Sequence, residues 1–209
     1  MKTKQRIIDK AIEYYNKVGL TNVTSRDLAK SLNMSHGNLD YHFENKEVLL
    51  MAIYKRMKKD ISRFYMERDA SADPFEHFYE LLISLEKFHQ TYSFFNLDVL
   101  EISRKYPMVN QLLKKTFHIR EEQMAHFYDR FKELGYFEQE IQPGIYMRLQ
   151  RTIRIVITFW NSQKEVLPYF GSAQKDSLSV YIWDLLIPHM TAKGKAVYEN
   201  LKSNEMLLK

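Results

Sequence analysis

Cysteine is absent from this chain, and residues that interrupt helices are scarce. Its 209 residues include six glycines and five prolines, and 45% of them are hydrophobic. Without cysteine, a disulfide framework, a thiolate nucleophile and a cysteine-ligated zinc site are all excluded. Few helix breakers and many apolar residues favour an all-α protein, long enough for one domain or two small ones with a substantial core.

Long apolar runs are missing as well. No stretch of eighteen apolar residues occurs, which excludes a typical membrane-spanning helix. The N-terminal stretch MKTKQRIIDKAIEYY carries charges within its apolar run, and this pattern is not that of a signal peptide. We therefore expect a cytoplasmic protein without a membrane partner.

Signatures of catalysis are also lacking. The sequence has no glycine-rich phosphate loop, no GxSxG elbow and no HExxH motif. His118, Glu122 and His126 recur at intervals of four, and such spacing can chelate a divalent metal ion. A solvated polar helix face is the better interpretation, because no second carboxylate arrangement accompanies it. We predict neither an enzyme nor a bound metal or cofactor.

The stretch from Thr24 to Phe43, TSRDLAKSLNMSHGNLDYHF, contains two short helical patterns with a brief interruption. Thr24 and Asp27 form a capping box at the start of the first. Asn33 follows it, and asparagine tolerates the left-handed conformation that a helix-ending turn needs. Ser35 then caps the second helix. This layout is that of a helix-turn-helix that reads DNA.

The second helix should have a buried side and an exposed side. Leu39 and Phe43 are four residues apart and should face the core, which leaves the polar side free to enter a major groove. Its side chains can hydrogen-bond to base edges or donate to phosphate, and a glycine allows close approach. The candidate DNA-contacting residues are Thr24, Ser25, Arg26, Ser35, His36, Gly37, Asn38, Tyr41, His42 and Lys46. A polar surface hairpin is the alternative interpretation.

Positive charge is concentrated near the N-terminus. Residues 1–60 contain 12 lysines and arginines against 7 acidic residues, a net charge of +5, while residues 61–209 contain 19 of each. Such an excess releases counterions when it neutralises DNA phosphates, whereas a merely solubilising terminus is the alternative explanation. Together with the motif, the excess favours binding of nucleic acid.

These residues resemble a known family. The block from Thr24 to Leu49, above all LNMSHGNLDYHFENKEVLL, resembles the DNA-binding domain of the TetR (TetR/AcrR) family of transcriptional regulators. The family's signature around its recognition helix is close to S, any residue, G, T or N, L, Y, Y, H or R, F, and then K, E, L. The matching residues are Ser35, Gly37, Asn38, Leu39, Tyr41, His42, Phe43, Lys46, Glu47 and Leu49. The resemblance covers about residues 4–55.

Two positions depart from that signature. Asp40 stands where an aromatic residue is common, and it brings a negative charge near the phosphates that can tune specificity or weaken affinity. Asn33 stands where glycine is usual, a change that the left-handed conformation tolerates.

The resemblance implies a fold and a division of the chain. It implies an N-terminal three-helix helix-turn-helix DNA-binding domain, residues 1–50, joined to a C-terminal helical ligand-binding and dimerisation bundle, residues 51–209. Periodicity and caps in the sequence itself predict helices at about residues 3–18, 24–32, 35–43, 45–68, 74–90, 92–105, 108–134, 145–166, 173–190 and 192–204.

The helices at 145–166 and 173–190 carry apolar residues on more sides than one core-facing stripe needs. The resemblance implies that they pair with their copies as a four-helix bundle in a homodimer. The predicted dimerisation residues are Leu149, Ile153, Val156, Trp160, Leu178, Tyr181, Ile182 and Leu185. Burial within one subunit is the alternative. A two-fold dimer would present two recognition helices about 34 to 36 Å apart to a palindromic operator of double-stranded DNA.

Family members usually bind a small-molecule effector in the helical body, and binding releases the DNA. Phe95, Tyr128 and Trp160 are candidate ligand-binding walls and predict a largely apolar effector, although aromatic residues at helical spacing are more often plain core. Two hypotheses follow. The first is a ligand-responsive dimeric regulator, expected to be a repressor, and the second is a helical small-molecule or lipid binding protein that has lost specific DNA binding.

Overall fold

The computed structural model describes residues 2–65, 73–167 and 177–207. Its helices are α1 (Lys2–Val18), α2 (Ser25–Ser31), α3 (His36–His42), α4 (Lys46–Tyr65), α5 (Pro74–Thr91), α6 (Ser93–Leu97), α7 (Val99–Lys105), α8 (Pro107–Glu133), α9 (Ile145–Val166), α10 (Leu178–Leu186) and α11 (Ala192–Leu207). A 3-10 turn at Ile187–His189 precedes α11, and one antiparallel bridge joins Phe137 to Met190. The predicted all-α class is confirmed.

The chain divides into two compact units. The first comprises Met1–Ser62 and Phe88–Thr116, and the second comprises Arg63–Lys87 and Phe117–Lys209. The unit that contains the helix-turn-helix is therefore larger than residues 1–50, because a second segment of the chain belongs to it. The boundary at residue 50 stays a prediction about where the DNA-binding part ends.

The first unit has a single apolar core. Tyr15 of α1 is 2% exposed, and its ring contacts Phe94 of α6 with 5.3 Å between the centroids. The same core takes in residues from α1 to α4 and from α6 to α8, among them Ile7, Ala11, Leu20, Leu28, Leu39, Leu50, Ile53, Phe94, Ile102 and Val109. The helix-turn-helix thus shares its core with the segment 88–116.

Polar contacts also join that segment to α1. The Asn16 carboxamide donates to the carbonyl oxygen of Thr91 at 2.8 Å and accepts the backbone N–H of Phe94 at 3.0 Å. The Asp98 carboxylate accepts the backbone N–H of Leu20 at 3.0 Å. These bonds pair backbone groups at the end of α1 and around α6 that the helices themselves leave open.

The second unit is filled with aromatic side chains. Phe75, Phe78, Phe131, Phe137 and Trp183 are each at most 3% exposed. Their ring centroids are 5.2 to 6.4 Å apart, mostly in tilted or edge-on arrangements, which suits the quadrupoles of the rings. The aromatic stripes of this part of the sequence are therefore mainly core.

Several helix ends differ from the prediction. The helix predicted at 92–105 is divided at Asp98, where the bond to Leu20 accompanies the end of α6. α10 begins at Leu178, because the Ser177 hydroxyl caps it by accepting the backbone N–H of Val180 at 3.3 Å. The predicted start at residue 173 and the predicted end of α4 at residue 68 lie outside the described residues. Within the described ranges, no helix is long and apolar enough to cross a membrane.

Candidate nucleic-acid interface

Side-chain caps begin both helices of the helix-turn-helix. Thr24 Oγ1 accepts the backbone N–H of Asp27 at 3.1 Å, and the Asp27 carboxylate accepts the backbone N–H of Thr24 at 3.0 Å, so the predicted capping box is confirmed. The Thr24 hydroxyl also donates to the Asp27 carboxylate at 2.5 Å, and this bond, together with the one from the Thr24 backbone N–H, lowers the pKa of that carboxyl. The Ser35 hydroxyl caps α3 by accepting the backbone N–H of Asn38 at 3.1 Å. Asn33 between the helices has φ of +55°, the predicted left-handed conformation.

α3 buries one side and exposes the other. Leu39 and Phe43 are 2% and 5% exposed and belong to the core of the first unit, as predicted. Tyr41 is 85% exposed, so its large aromatic side chain contributes little to the packing of the fold. The polar side of the helix also presents His36, Gly37 and Asn38 to solvent. This side is therefore available to a partner.

The flanking candidates have mixed surroundings. Arg26 is exposed in the first turn of α2, whereas Ser25 is half-buried beside it. His42 is half-buried at the end of α3, with its ring edge-on to Tyr41 at 5.2 Å between centroids. Of this set, Arg26 offers a fixed positive charge on the surface next to α3.

Lys46, a predicted phosphate contact, bonds to backbone groups of its own unit. Its ammonium donates to the carbonyl oxygens of Leu20 and Val23, at 2.5 and 2.7 Å, and lies 5.5 Å from the centroid of the Tyr15 ring. Partial burial lowers the pKa of this amine. The ammonium thereby ties the α1–α2 turn to α4, and its contact with DNA phosphate stays a prediction.

One contact on α3 was not anticipated. Asp40 Oδ2 lies 3.2 Å from His36 Nδ1, so the unusual carboxylate has a partner on its own helix. The spacing of four residues between an acid and a histidine on a predicted helix is a signal that could have found this pair.

The predicted dimerisation residues lie mostly inside one subunit. Five of them are at most 9% exposed, namely Leu149, Ile153, Trp160, Leu178 and Ile182. Val156, Tyr181 and Leu185 are half-buried, and the Trp160 and Tyr181 rings meet at 5.0 Å between centroids. α9 and α10 pack on each other, and the five buried residues contribute to the core of one subunit. The half-buried Val156, Tyr181 and Leu185 stay predicted dimer contacts. The large apolar residues that these helices expose are Met147, Ile155, Phe159, Val166 and Val180.

The three candidate ligand walls do not form one group. Phe95 is buried in the first unit and stacks on Tyr54 with 5.5 Å between centroids. Tyr128 and Trp160 belong to the second unit. Tyr128 stacks on Tyr146 at 5.3 Å, and its buried hydroxyl has no hydrogen-bond partner among the described residues. Tyr128 lines a pocket of the second unit.

That pocket lies in the second unit, between α8 and the start of α9. Its volume is about 270 Å³, and it is lined by His118, Glu121, Glu122, Ala125, Tyr128, Asp129, Lys132, Glu140, Tyr146, Met147 and Gln150. Glu121 pairs with Arg151 at 3.0 Å, which lowers the pKa of the Glu121 carboxyl, and Asp129 pairs with Lys132 at 2.9 Å. Four carboxylates at one pocket were not predicted from the sequence.

His118, Glu122 and His126 lie on an exposed face of α8, which was the preferred interpretation of their spacing. His118 Nε2 lies 3.5 Å from Glu122 Oε1, with both side chains more than half exposed. No group of three or more potential ligands among His, Asp and Glu comes together to hold a metal ion in the part of the chain that the structure describes.

This fold and this exposed helix define a helix-turn-helix DNA-binding protein with a larger helical body. Residues 7–53 match the family model for bacterial regulatory proteins of the tetR family, and residues 56–198 match the TetR model described as a bacterial transcriptional repressor. The chain belongs to the TetR family of transcriptional regulators.

Individual relatives agree with this membership. The chain is 29% identical over 85 residues to the probable acrEF/envCD operon repressor of Escherichia coli K12, a match that spans 40% of this chain and 39% of the relative. The fold resembles that of a TetR-family regulator from Marinobacter aquaeolei VT8, with a TM-score of 0.85, 20% identity and coverage of 97% and 98%. A transcriptional regulator from Saccharomonospora viridis in complex with choline has a TM-score of 0.69, 20% identity and coverage of 90% and 97%.

Proposed function

We propose that this protein is a dimeric, ligand-responsive transcriptional repressor that binds a palindromic operator through α3. The observation that carries the proposal is that α3 has one buried and one exposed side. Leu39 and Phe43 anchor it in the core, and His36, Asn38 and Tyr41 face solvent. A short helix held in this way suits insertion into a major groove. The description of the matched family model and the name of the Escherichia coli relative support repression of transcription rather than activation.

The exposed residues divide into two roles. The Asn38 carboxamide can pair bidentately with adenine, and the His36 ring can bond a base edge. Tyr41, His42 and Arg26 suit phosphate oxygens, which position the helix without reading sequence. Gly37 has open space where a Cβ would stand, so a sugar or base can approach the backbone there.

A mobility-shift assay on DNA upstream of the protein's own gene tests the proposal. We expect one sequence to be preferred over competitor DNA. Asn38→Ala should relax preference at one position of each half-site by about 1–3 kcal/mol, because a base contact is lost. Tyr41→Phe should weaken all sequences alike, because a phosphate contact is lost. Equal loss of preference in both variants would contradict this division of roles.

The second hypothesis is a helical binding protein that has lost specific DNA binding. Asp40 is the observation in its favour, because its partly exposed carboxylate lies beside the candidate base-contacting residue His36 and would repel DNA phosphates. If no sequence is preferred over competitor even at low salt, this second hypothesis replaces the first.

The homodimer that we propose uses the exposed apolar side of α9. Ile155 and Phe159 are one turn apart, Val166 follows two turns later, and their exposures are 62%, 38% and 72%. Val180 of α10 adds a further exposed apolar side chain. Such residues on two neighbouring helices fit an isologous interface, in which the same surface meets its copy.

The effector that we infer binds the acidic pocket and carries a positive charge beside an apolar part. Glu122 and Glu140 line this pocket, and neither pairs with a lysine or arginine in the described part of the chain. The stacked Tyr128 and Tyr146 rings supply the apolar wall. We therefore replace the predicted largely apolar effector by a cation that also has an apolar part. The choline complex of the Saccharomonospora regulator is compatible with this chemistry.

Thermal unfolding with two matched probes tests this assignment. We expect choline to raise the melting temperature and its uncharged isostere 3,3-dimethylbutan-1-ol to leave it unchanged, because the carboxylates attract only the cation. Glu122→Gln should reduce the response to choline. A larger response to the neutral compound would instead support the largely apolar effector.

A further inference from the structure

Asp40 is one of the two residues at which this chain departs from the family signature, and its carboxylate contacts another side chain of α3. Its Oδ2 atom lies 3.2 Å from His36 Nδ1, and the two side chains are 40% and 44% exposed. They are one helical turn apart, the spacing at which side chains on a helix meet. The pair stands on the side of α3 that the proposed function directs into the major groove.

This contact favours one nitrogen of His36 as the one that carries the hydrogen. A carboxylate only accepts hydrogen bonds, so the attraction requires a hydrogen on Nδ1. A neutral imidazole carries one hydrogen on either of its two nitrogens, and a carboxylate oxygen close to Nδ1 favours the form with the hydrogen there. His36 Nε2 is then a hydrogen-bond acceptor at the end of the ring that is away from Asp40.

We propose that Asp40 is a positioning residue for sequence readout, which holds His36 so that its Nε2 accepts a hydrogen bond from a base. The bases that offer a donor in the major groove are adenine, through N6, and cytosine, through N4. Guanine and thymine present acceptors there, which a bare Nε2 disfavours. The inference rests on the proposed function and adds to it the class of base that His36 reads.

A purely electrostatic role of Asp40 makes a different prediction. A carboxylate near phosphates would weaken binding to every sequence alike. The other ionisable residues of α3 are Tyr41 and His42, and α2, which packs against α3, carries Arg26, Asp27 and Lys30. Asp27 is bound to Thr24, and Asp40 is the acidic partner of His36 among the described residues. Variants of Asp40 can therefore separate positioning from charge.

The first measurement needs no DNA. Long-range ¹⁵N–¹H spectra of the full-length protein at pH 8, where an ordinary imidazole is neutral, report which ring nitrogen carries the hydrogen. We expect Nδ1–H at His36 in the wild type and in Asp40→Asn, which keeps an acceptor at this place. Asp40→Ala should shift His36 toward the Nε2–H form. A wild-type His36 already in the Nε2–H form would overturn the inference and leave the proposed function untouched.

The second measurement is selection of binding sites at pH 8. The wild type and Asp40→Asn should prefer adenine or cytosine by about five- to tenfold at one position of each half-site. Asp40→Ala and His36→Ala should both lose the preference at that position and keep it elsewhere. Glu44→Gln, which removes the same charge from an exposed residue just after α3, is the control and should keep every preference.

Two outcomes contradict the inference in distinguishable ways. If Asp40→Asn, Asp40→Ala and Glu44→Gln all strengthen binding to every sequence alike, Asp40 acts through charge alone and the positioning role is overturned. If the wild type prefers no sequence, the proposed function fails and the readout by His36 fails with it, whatever the tautomer is.

Discussion

Polar side chains of the first unit fall into two groups that the amino-acid sequence does not separate. Lys46 and Asn16 bond backbone groups within the unit, whereas Asn38 and Tyr41 face solvent. All four are polar residues in or near a helix-turn-helix. Burial and hydrogen-bond partners distinguish the residues that hold the fold from those that meet a ligand, and both depend on tertiary structure.

Replacing Lys46 by methionine tests its structural role. We expect Lys46→Met to lower the free energy of unfolding by about 1–3 kcal/mol, because the carbonyl oxygens of Leu20 and Val23 lose their donor. Denaturant unfolding measures this change, with Lys17→Met at an exposed site of α1 as the control. If Lys46→Met is as stable as the wild type and its DNA binding has a salt slope flatter by about one, the predicted phosphate contact is supported instead.

His89 makes the stability of the first unit depend on pH. Its ring is 3% exposed, and burial lowers its pKa to about 4, against an ordinary value of 6.5. The Asn96 amide donates to His89 Nδ1 at 2.8 Å, which fits a neutral ring. Above pH 6.5 neither the folded nor the unfolded chain binds this proton. Between pH 6.5 and 4 the unfolded chain alone binds it, so stability falls as the pH drops.

Denaturant unfolding between pH 4 and 8 measures this effect. The wild type should lose about 3 kcal/mol of stability through His89 across that window, since one pKa unit corresponds to about 1.4 kcal/mol. His89→Gln should flatten this part of the profile, although it is less stable at pH 8. His118→Gln at an exposed site is the control. An identical pH profile in wild type and His89→Gln would contradict the argument.

At the scale of single helices, short-range signals predicted where helices begin and end. Thr24 and Ser35 cap α2 and α3, and Asn33 and Gly19 take the left-handed conformations that end the preceding helices. These signals are local, because a cap or a positive φ depends on a few consecutive residues. The exposed side of α3 could be predicted for the same reason.

Such local signals could not predict how the helices pack against one another. α9 is apolar on two sides, and periodicity shows which residues share a side but not which side meets the core. The stripe with Leu149, Ile153 and Trp160 is the buried one. The contacts of Asp98 with Leu20 and of Lys46 with Val23 join residues distant in sequence, so no local pattern announces them.

Two glycines within helices give a matched test of packing. A Cβ on Gly194 of α11 would lie 2.1 Å from the carbonyl oxygen of Tyr136, whereas one on Gly37 of α3 would meet nothing within 4 Å. We expect Gly194→Ala to destabilise the protein in thermal unfolding, because backbone must move. Gly37→Ala should leave stability unchanged or raise it by up to about 1 kcal/mol, since alanine favours helices.

The same pair separates folding from DNA binding. If the backbone at Gly37 approaches DNA, Gly37→Ala should weaken operator binding in a mobility-shift assay while the protein stays fully folded. Unchanged operator affinity in Gly37→Ala would show that no close approach occurs there, and a stable Gly194→Ala protein would contradict the packing of α11 on Tyr136.

At the scale of the whole molecule, the exposed stripe of α9 predicts the oligomeric state. Ile155→Glu and Phe159→Glu should convert the dimer to monomers in analytical ultracentrifugation, because each places a charge in an apolar interface. Monomers should bind the full operator more weakly, since only one half-site is held at a time. Ile141→Glu is the control, because Ile141 is 89% exposed outside this stripe. A monomeric wild type, or variants that stay dimeric, would refute this interface.

The composition of the first unit has a consequence for protein engineering. The chain passes between the two units at residues 62/63, 87/88 and 116/117. The first unit, which contains the helix-turn-helix, is therefore assembled from two stretches of sequence. A fragment cut at residue 50 would lose the groups that bind Asn16 and the N–H of Leu20, and it would uncover Tyr15. Chimeras that graft this specificity onto another regulator therefore need residues 88–116 as well as the N-terminal helices.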